Sequence, residues 1–313
     1  MFRSDHPLFG PGGNCRRFAA EGHRSSADAP AFVAENGLGA YEYECVKGVQ
    51  ASEDLLTRLG ENARRHGISL SLHAPYYISL SNPDPEMQKK NLSYLLSSLQ
   101  AAERIGADTI VVHCGSAGLH GRDEAMRHSL NNLAFLLEQT RDVCPSVSIG
   151  METMGRIGQL GTLEEVLEHC LLCPERVVPV VDFGHLNARN RGGFFRTCGD
   201  YEAVFDAVAQ KLNDERARYL HCHFSHIEYG KAGEIRHLTF EDTQYGPAFG
   251  PLARVIADNG LCPRIICESA GTQTDDAMQM KKETDSYTAK EGQPYGQSNP
   301  HSELSGQNEG KRL

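Results

Sequence analysis

The 313-residue sequence has no long apolar run. No stretch approaches the roughly 20 consecutive apolar residues that a membrane-spanning helix needs. The first residues, MFRSDHPLFGPGGN, lack the apolar core of a secretory signal. Both absences lead us to expect a cytoplasmic protein that does not act at a membrane.

Positive charge is also scarce. Lys and Arg number 31 against 41 Asp and Glu, which gives a formal net charge of −10. Broad nonspecific binding to nucleic acid needs many cations that neutralise phosphates, so the composition argues against it. A local anion site remains compatible with this charge, because bound divalent cations would neutralise acidic residues where the substrate docks.

The ten cysteines show no disulfide pattern, since they are scattered singly and several fall inside predicted strands. Cys170 and Cys173 form one CxxC motif, but no second pair follows at zinc-ribbon spacing. We therefore interpret the cysteines as reduced and structural.

Short apolar runs alternate with longer amphipathic ones along the chain. The predicted strands are 8–11, 40–45, 68–73, 108–114, 146–152, 176–182, 218–224 and 264–268. Eight strand–helix alternations with short connections predict parallel strands covered by helices. We predict an α/β protein whose residues 1–287 form a single (β/α)8 TIM barrel, followed by a disordered polar tail over 288–313.

Side chains that bind metals recur where the apolar runs end. They are His73, His113, Glu152, Asp182, His185, His221, His223, His237 and Glu268. In an open sheet such residues would gather at one switch point, whereas all strand ends of a barrel converge on one mouth. This distribution favours the barrel and predicts a metal site at the carboxyl ends of its strands.

The mixture of imidazole and carboxylate donors suits zinc, manganese or iron rather than magnesium or calcium. Eight or nine donors exceed what one ion needs, so we predict two or three ions. Clustered divalent ions are typical of enzymes that hydrolyse phosphate esters, whereas an isomerase needs only one.

Six sequence blocks resemble the ordered signature blocks of the endonuclease IV family. They are SLHAPYY at 71–77, VVHCGS at 111–116, GMETMG at 150–155, VVDFGH at 180–185, HFSHIEYG at 223–230 with IRH at 235–237, and ICES at 266–269. That family comprises TIM-barrel apurinic/apyrimidinic endonucleases of the xylose isomerase-like superfamily. The resemblance covers roughly residues 38–270.

The resemblance implies three zinc sites and their ligands. His73, His113 and Glu152 would hold the first ion; Glu152 with Asp182, His223 and Glu268 the second; and His185 with His237 the third. It implies Glu152 and Glu268 as catalytic residues, with Glu268 beside the attacking water. Tyr76 matches a family tyrosine that enters the DNA at the lesion.

The third site departs from the family pattern. The family carries an Asp-x-His pair there, whereas this chain reads Gly233-Glu234-Ile235-Arg236-His237, so Glu234 is one residue off the expected spacing. Occupancy of the third site is therefore left open. An alignment slipped by two residues would replace His223 by His221, and we favour His223.

Two functions follow from these patterns. The first is hydrolysis of the phosphodiester 5′ to abasic sites in DNA by a monomer without protein partners. Cations of a predicted DNA-contacting rim are Arg122, Arg156, Arg189, Arg191 and Lys231. The alternative is a sugar isomerase or epimerase that uses one ion held by Glu152, Asp182, His223 and Glu268.

Overall fold

We describe the protein from a computed structural model, which covers residues 2–118 and 121–291. The strands are β1 Leu8–Pro11, β2 Ala40–Glu44, β3 Ser69–His73, β4 Thr109–His113, β5 Ser148–Glu152, β6 Val177–Asp182, β7 His221–Phe224, β8 Ile227–Gly230, β9 Gly233–His237 and β10 Arg264–Cys267. The helices are α1 Arg16–Ala20, α2 Ala29–Glu35, α3 Glu53–His66, α4 Pro85–Ile105, α5 Arg122–Gln139, α6 Leu163–Cys170, α7 Phe183–Arg189, α8 Cys198–Leu212, α9 Gly250–Asp258 and α10 Gln273–Glu291.

Eight parallel strands form the barrel in the order β1-β10-β7-β6-β5-β4-β3-β2. Its two ends meet where β1 continues beside β2: the amide of Gly13 donates to the carbonyl of Glu42 at 2.9 Å, and the amide of Gly39 donates to the carbonyl of Phe9 at 3.0 Å. A Cβ at Gly10 would lie 1.6 Å from the Ala40 carbonyl oxygen, so only glycine allows this approach. The predicted TIM barrel is confirmed.

The helices form because their ends and apolar faces are well specified. In α4 the Asp84 side chain caps the amide of Glu86, and Gly106 ends the helix in the left-handed conformation. Leu95 and Leu99, one helical turn apart, are completely buried against the barrel. Each such leucine contributes about 2 kcal/mol to stability through burial.

Two features of the mouth were not predicted, a helix and a hairpin. Helix α7 follows β6 directly, with Asp182 as its capping residue. Strands β8 and β9 form an antiparallel hairpin with a register irregularity between Glu228 and Tyr229. Neither element has a long apolar period, so the sequence pattern did not separate them from loop.

No helix among the described residues is both long and apolar enough to cross a membrane. The last helix extends to Glu291, and residues 292–313 of the predicted tail lie outside the described residues. The limits 1–287 and 288–313 therefore stay a prediction.

Candidate metal centre

The predicted ligands converge at the carboxyl ends of the barrel strands. His113 at the end of β4 is the register partner of Glu152 at the end of β5, and Asp182 at the end of β6 is the partner of His223 on β7. Glu268 follows β10 directly. Parallel pairing therefore brings together side chains that are far apart in sequence.

Glu152 is the hub of the cluster, and it is only 1% exposed. Its Oε2 atom lies 3.1 Å from His113 Nε2 and 3.5 Å from His73 Nε2. Its Oε1 atom lies 3.0 Å from His223 Nδ1 and 3.5 Å from His185 Nδ1. Each carboxylate oxygen thus faces a different pair of imidazoles, as a carboxylate shared between two ions would.

Among the described residues, five groups of donors have ligand atoms within 4.8 Å of one another. Three of them correspond to the predicted metal sites: His73, His113 and Glu152; Glu152, Asp182, His223 and Glu268; and His185, Glu234 and His237. The first two of these share Glu152, and the third contacts Glu152 through His185. The three contain every metal ligand predicted from the sequence and add Glu234, whereas the other two groups combine Glu42 with His221 and His223 or with His73 and Glu268.

Glu234 occupies the position that the sequence pattern left in doubt. Its Oε2 atom lies 3.4 Å from His185 Nε2, and its Oε1 atom lies 4.0 Å from His237 Nε2. The hairpin irregularity shifts β9 against β8, and the amide of Glu234 donates to the carbonyl of Gly155 at 3.1 Å. Despite the irregular spacing in the sequence, the Glu234 carboxylate therefore lies close to both imidazoles.

The geometry favours His223 over His221 as the second-group ligand. The Nδ1 atom of His221 accepts from Arg264 Nε at 2.8 Å, and its Nε2 atom lies 3.1 Å from Glu42 Oε2. Burial and the Arg264 charge lower the pKa of His221 to about 4. Both nitrogens of this neutral imidazole already have partners, which leaves His221 no free lone pair for an ion.

The donor set fits divalent transition metals. Among the residues that the structure describes, no group donates a hydrogen bond to the buried atoms Glu152 Oε2 or Asp182 Oδ2. Buried carboxylate oxygens need such a partner or a cation. Burial opposes protonation of His73, but the Glu152 and Glu44 carboxylates outweigh it and raise its pKa to about 10. These carboxylates favour the protonated, positively charged form of His73, and a bound cation would supply that positive charge instead.

Sequence analysis missed two acidic residues on β2, Glu42 and Glu44. Alternation in AYEYE sends Tyr41 and Tyr43 to one face of the strand and both glutamates to the other. Glu42 is completely buried, and burial raises the pKa of Glu44 to about 7. Acidic residues on the inward face of a barrel strand were the signal that would have found them.

A cavity of about 410 Å³ opens above the donors. Its lining includes Tyr76, Met154, Arg156 and Gln159 in addition to ligands of all three groups. Tyr76 is 50% exposed, and its ring centroid lies 4.5 Å from that of Tyr77. The predicted substrate-binding tyrosine therefore stands at the entrance to the donors.

Two of the five predicted rim cations have structural partners instead. Arg122 Nη2 bonds Glu165 at 2.6 Å and the carbonyl of Gln159 at 3.1 Å. Arg189 donates to the carbonyls of Met154, Arg156, Ile157 and Gln159. These guanidinium groups brace the loop after β5, whereas Arg156, Arg191 and Lys231 are exposed.

Relatives found by sequence differ in how much of this chain they match. An uncharacterized protein of Methanocaldococcus jannaschii is 29% identical over 247 residues, which are 78% of this chain and 86% of that protein. A probable endonuclease 4 of Symbiobacterium thermophilum is 31% identical over 166 residues, 52% of this chain and 57% of that protein. The match thus spans little more than half of the endonuclease.

Solved structures of two kinds share the fold. A D-tagatose 3-epimerase-like protein superposes with a TM-score of 0.64 at 18% identity, covering 91% of this chain and 99% of its own. Endonuclease IV from Thermus thermophilus superposes with a TM-score of 0.61 at 17% identity, covering 91% and 100%. At these identities the likeness is one of fold.

The family model described as xylose isomerase-like TIM barrel matches residues 30–288. This range contains every strand of the barrel except β1 and all the candidate metal ligands. The chain therefore belongs to the xylose isomerase-like TIM barrel family.

Proposed function

We propose that this protein is a metal-dependent phosphodiester hydrolase that cleaves DNA on the 5′ side of abasic sites. The observation that carries the proposal is the presence of two donor groups beyond the four residues that a single ion needs. One of them is His73, His113 and Glu152, and the other is His185, Glu234 and His237. Sequence similarity to proteins named probable endonuclease 4 supports the same activity.

Charge balance supports occupancy by three divalent ions. Five carboxylates converge on the mouth, Glu44, Glu152, Asp182, Glu234 and Glu268, and Glu42 lies directly beneath them. Three divalent cations would balance the six negative charges that these groups carry when all are ionised, whereas one cation would leave four charges to be compensated by protons. Burying uncompensated carboxylates is costly, which favours the three-ion state.

The bound ions and Glu268 would have different roles in the reaction. Bound ions would polarise the phosphodiester and stabilise the charge of the leaving oxygen. Glu268, a member of the second group, lies 3.3 Å from His223 and 3.9 Å from His237, so its carboxylate borders the third group. It faces the cavity with 16% of its side chain exposed and is placed to orient a water and accept its proton.

Recognition of the lesion is assigned to Tyr76 and the exposed cations. An aromatic ring at the entrance can fill the gap left by a missing base, because stacking on neighbouring bases does not depend on their identity. Arg156, Arg191 and Lys231 would neutralise backbone phosphates on either side.

A nicking assay tests the proposal. Zinc-loaded protein is incubated with a 5′-labelled duplex that contains one abasic site, and we expect a single product ending in a 3′-hydroxyl at the position before the lesion. The undamaged duplex and a chelator-treated sample are the controls. Absence of cleavage by protein with full metal content would refute the proposed activity.

The second candidate is a single-metal sugar epimerase. The observation that favours it is the group Glu152, Asp182, His223 and Glu268, which is sufficient for one ion beside two carboxylates that exchange protons. Elemental analysis distinguishes the two candidates: two or three ions per chain support the hydrolase, and one ion supports the epimerase.

Replacing Gly155 by alanine is expected to release the third ion. A Cβ at Gly155 would lie 2.7 Å from the Cβ and Oε2 atoms of Glu234 and 3.0 Å from His185 Cδ2. Because the new methyl group occupies the space of two ligands, metal content should fall by about one ion per chain and cleavage by about 10- to 100-fold.

Gly158→Ala in the same loop is the matched control, since its Cβ would meet nothing within 4 Å. Inductively coupled plasma analysis and the nicking rate measure both effects. Full metal content in the Gly155 variant would contradict the assignment of Glu234 to the third group.

A further inference from the structure

Glu42 on β2 lies beneath the donor groups. It is the centre of a network of polar contacts that the three groups assigned to the ions do not explain. Its side chain is completely buried. The Oε2 atom accepts from Ser71 Oγ at 2.7 Å and lies 3.1 Å from His221 Nε2. The Oε1 atom lies 3.0 Å from His223 Nε2. One carboxylate thus contacts three hydrogen-bonding side chains, and one of them is a candidate metal ligand.

The two nitrogens of His223 face different groups. Nδ1 lies 3.0 Å from Glu152 Oε1 and 3.3 Å from Glu268 Oε1, inside the second donor group. Nε2 lies 3.0 Å from Glu42 Oε1, but the two atoms are not aligned as a hydrogen bond. Neither Nε2 nor Glu42 Oε1 has a hydrogen bond to any other part of the chain that the structure describes. When Nδ1 binds a cation, Nε2 must carry the hydrogen, and Glu42 is its acceptor.

The orientation of Glu42 is set from below by Arg264. This guanidinium group is completely buried, and its Nε atom donates to His221 Nδ1 at 2.8 Å. His221 must therefore carry its own hydrogen on Nε2, the atom that faces Glu42. The other nitrogens of Arg264 donate to Asp108 at 2.8 and 3.0 Å, which balances the charge. The contacts run from Asp108 through Arg264, His221 and Glu42 to His223.

We propose that Glu42, held by His221 and Arg264, is a positioning residue that presents Nδ1 of His223 to the ion of the second donor group. This inference rests on the metal centre of the proposed function but not on its substrate. A carboxylate on the far nitrogen of a metal-bound imidazole fixes its tautomer and ring orientation. Loss of such a partner weakens metal affinity by about 10- to 100-fold.

Glu42→Gln is the decisive variant. Glutamine keeps the volume but has one acceptor oxygen, whereas Ser71, His221 and His223 present hydrogens to both oxygens of Glu42. Metal-free protein is titrated with Zn²⁺ in competition with a chromophoric chelator. We expect one ion to bind about 10- to 100-fold more weakly, with the other ions unchanged.

Two further variants distinguish a loss of His223 positioning from general damage to the fold. Ser71→Ala removes one hydrogen bond to Glu42 with little change in volume, so it should weaken the same ion by a smaller factor even if Glu42→Gln does not fold. Asp214→Asn removes a carboxylate that pairs with Arg216 between α8 and β7, at the end of the barrel away from the mouth, and should leave Zn²⁺ affinity unchanged. Thermal unfolding of each metal-free variant reports its structural cost.

The outcomes are distinct. Wild-type Zn²⁺ affinity in Glu42→Gln, or in Ser71→Ala if the first variant does not fold, overturns the positioning role. Equal weakening of all ions also overturns it. No Zn²⁺ binding by the wild-type protein overturns both this role and the proposed function. A selective loss of affinity in a protein that does not cut abasic DNA supports the positioning role and refutes only the substrate.

Discussion

Glu152→Gln is expected to remove at least one ion and to lower the rate of cleavage by about 1,000-fold, the upper end of the effect of losing a group that stabilises transition-state charge. The reason is the position of this carboxylate between the first and second donor groups. One oxygen faces His73 and His113, and the other faces His185 and His223. Glutamine offers one oxygen and no charge, so the amide nitrogen would face a cation.

Metal content and single-turnover nicking measure this effect. Asp214→Asn is the matched control, because it also removes a carboxylate with ordered partners but lies outside the donor groups and away from the mouth. The control should retain its ions and its activity. A Glu152 variant that keeps all its ions and more than about one tenth of the wild-type rate would remove this residue from the centre.

Glu268→Gln is expected to lower the rate of cleavage much more than it affects the assembly of the metal centre. Glu268 contributes to only one of the three groups assigned to the ions and faces the cavity. We expect the first and third ions to remain and the unfolding temperature to stay close to that of the wild type. Turnover should fall by about 100- to 1,000-fold, because the carboxylate that orients the water and accepts its proton is lost.

The rate at saturating DNA, compared with the affinity for the same duplex, measures this separation. Affinity should be retained, since Tyr76 and the exposed cations are unchanged. An undiminished rate would exclude Glu268 from the reaction, and loss of all ions would show that its role is in assembling the centre.

The barrel and most of the candidate ligands were predictable because six of the eight predicted strands end at or next to a donor and parallel strands end at one mouth. His113 and Glu152 illustrate this, since each is the last residue of its strand. Whether Glu234 lies within the third group could not be predicted, because its position depends on an irregularity in a hairpin that has no periodic signal. Glu42 was missed for a different reason: it lies in the middle of a strand, and its partners come from other strands that approach it only in the closed barrel.

The placement of Glu152 also has a consequence for how the protein folds. Its imidazole neighbours come from β3, β4, β7 and α7, which span residues 73 to 223 of the chain. No contiguous fragment shorter than this span contains the whole set, so the full set of donors around Glu152 is complete only after most of the barrel has assembled. Ions that bind only the native state add to its stability, by about 4 kcal/mol for a ligand at 1,000 times its dissociation constant. Resistance to heat should therefore depend on metal supply after synthesis, and partly built barrels should gain less stability from metal than the complete one.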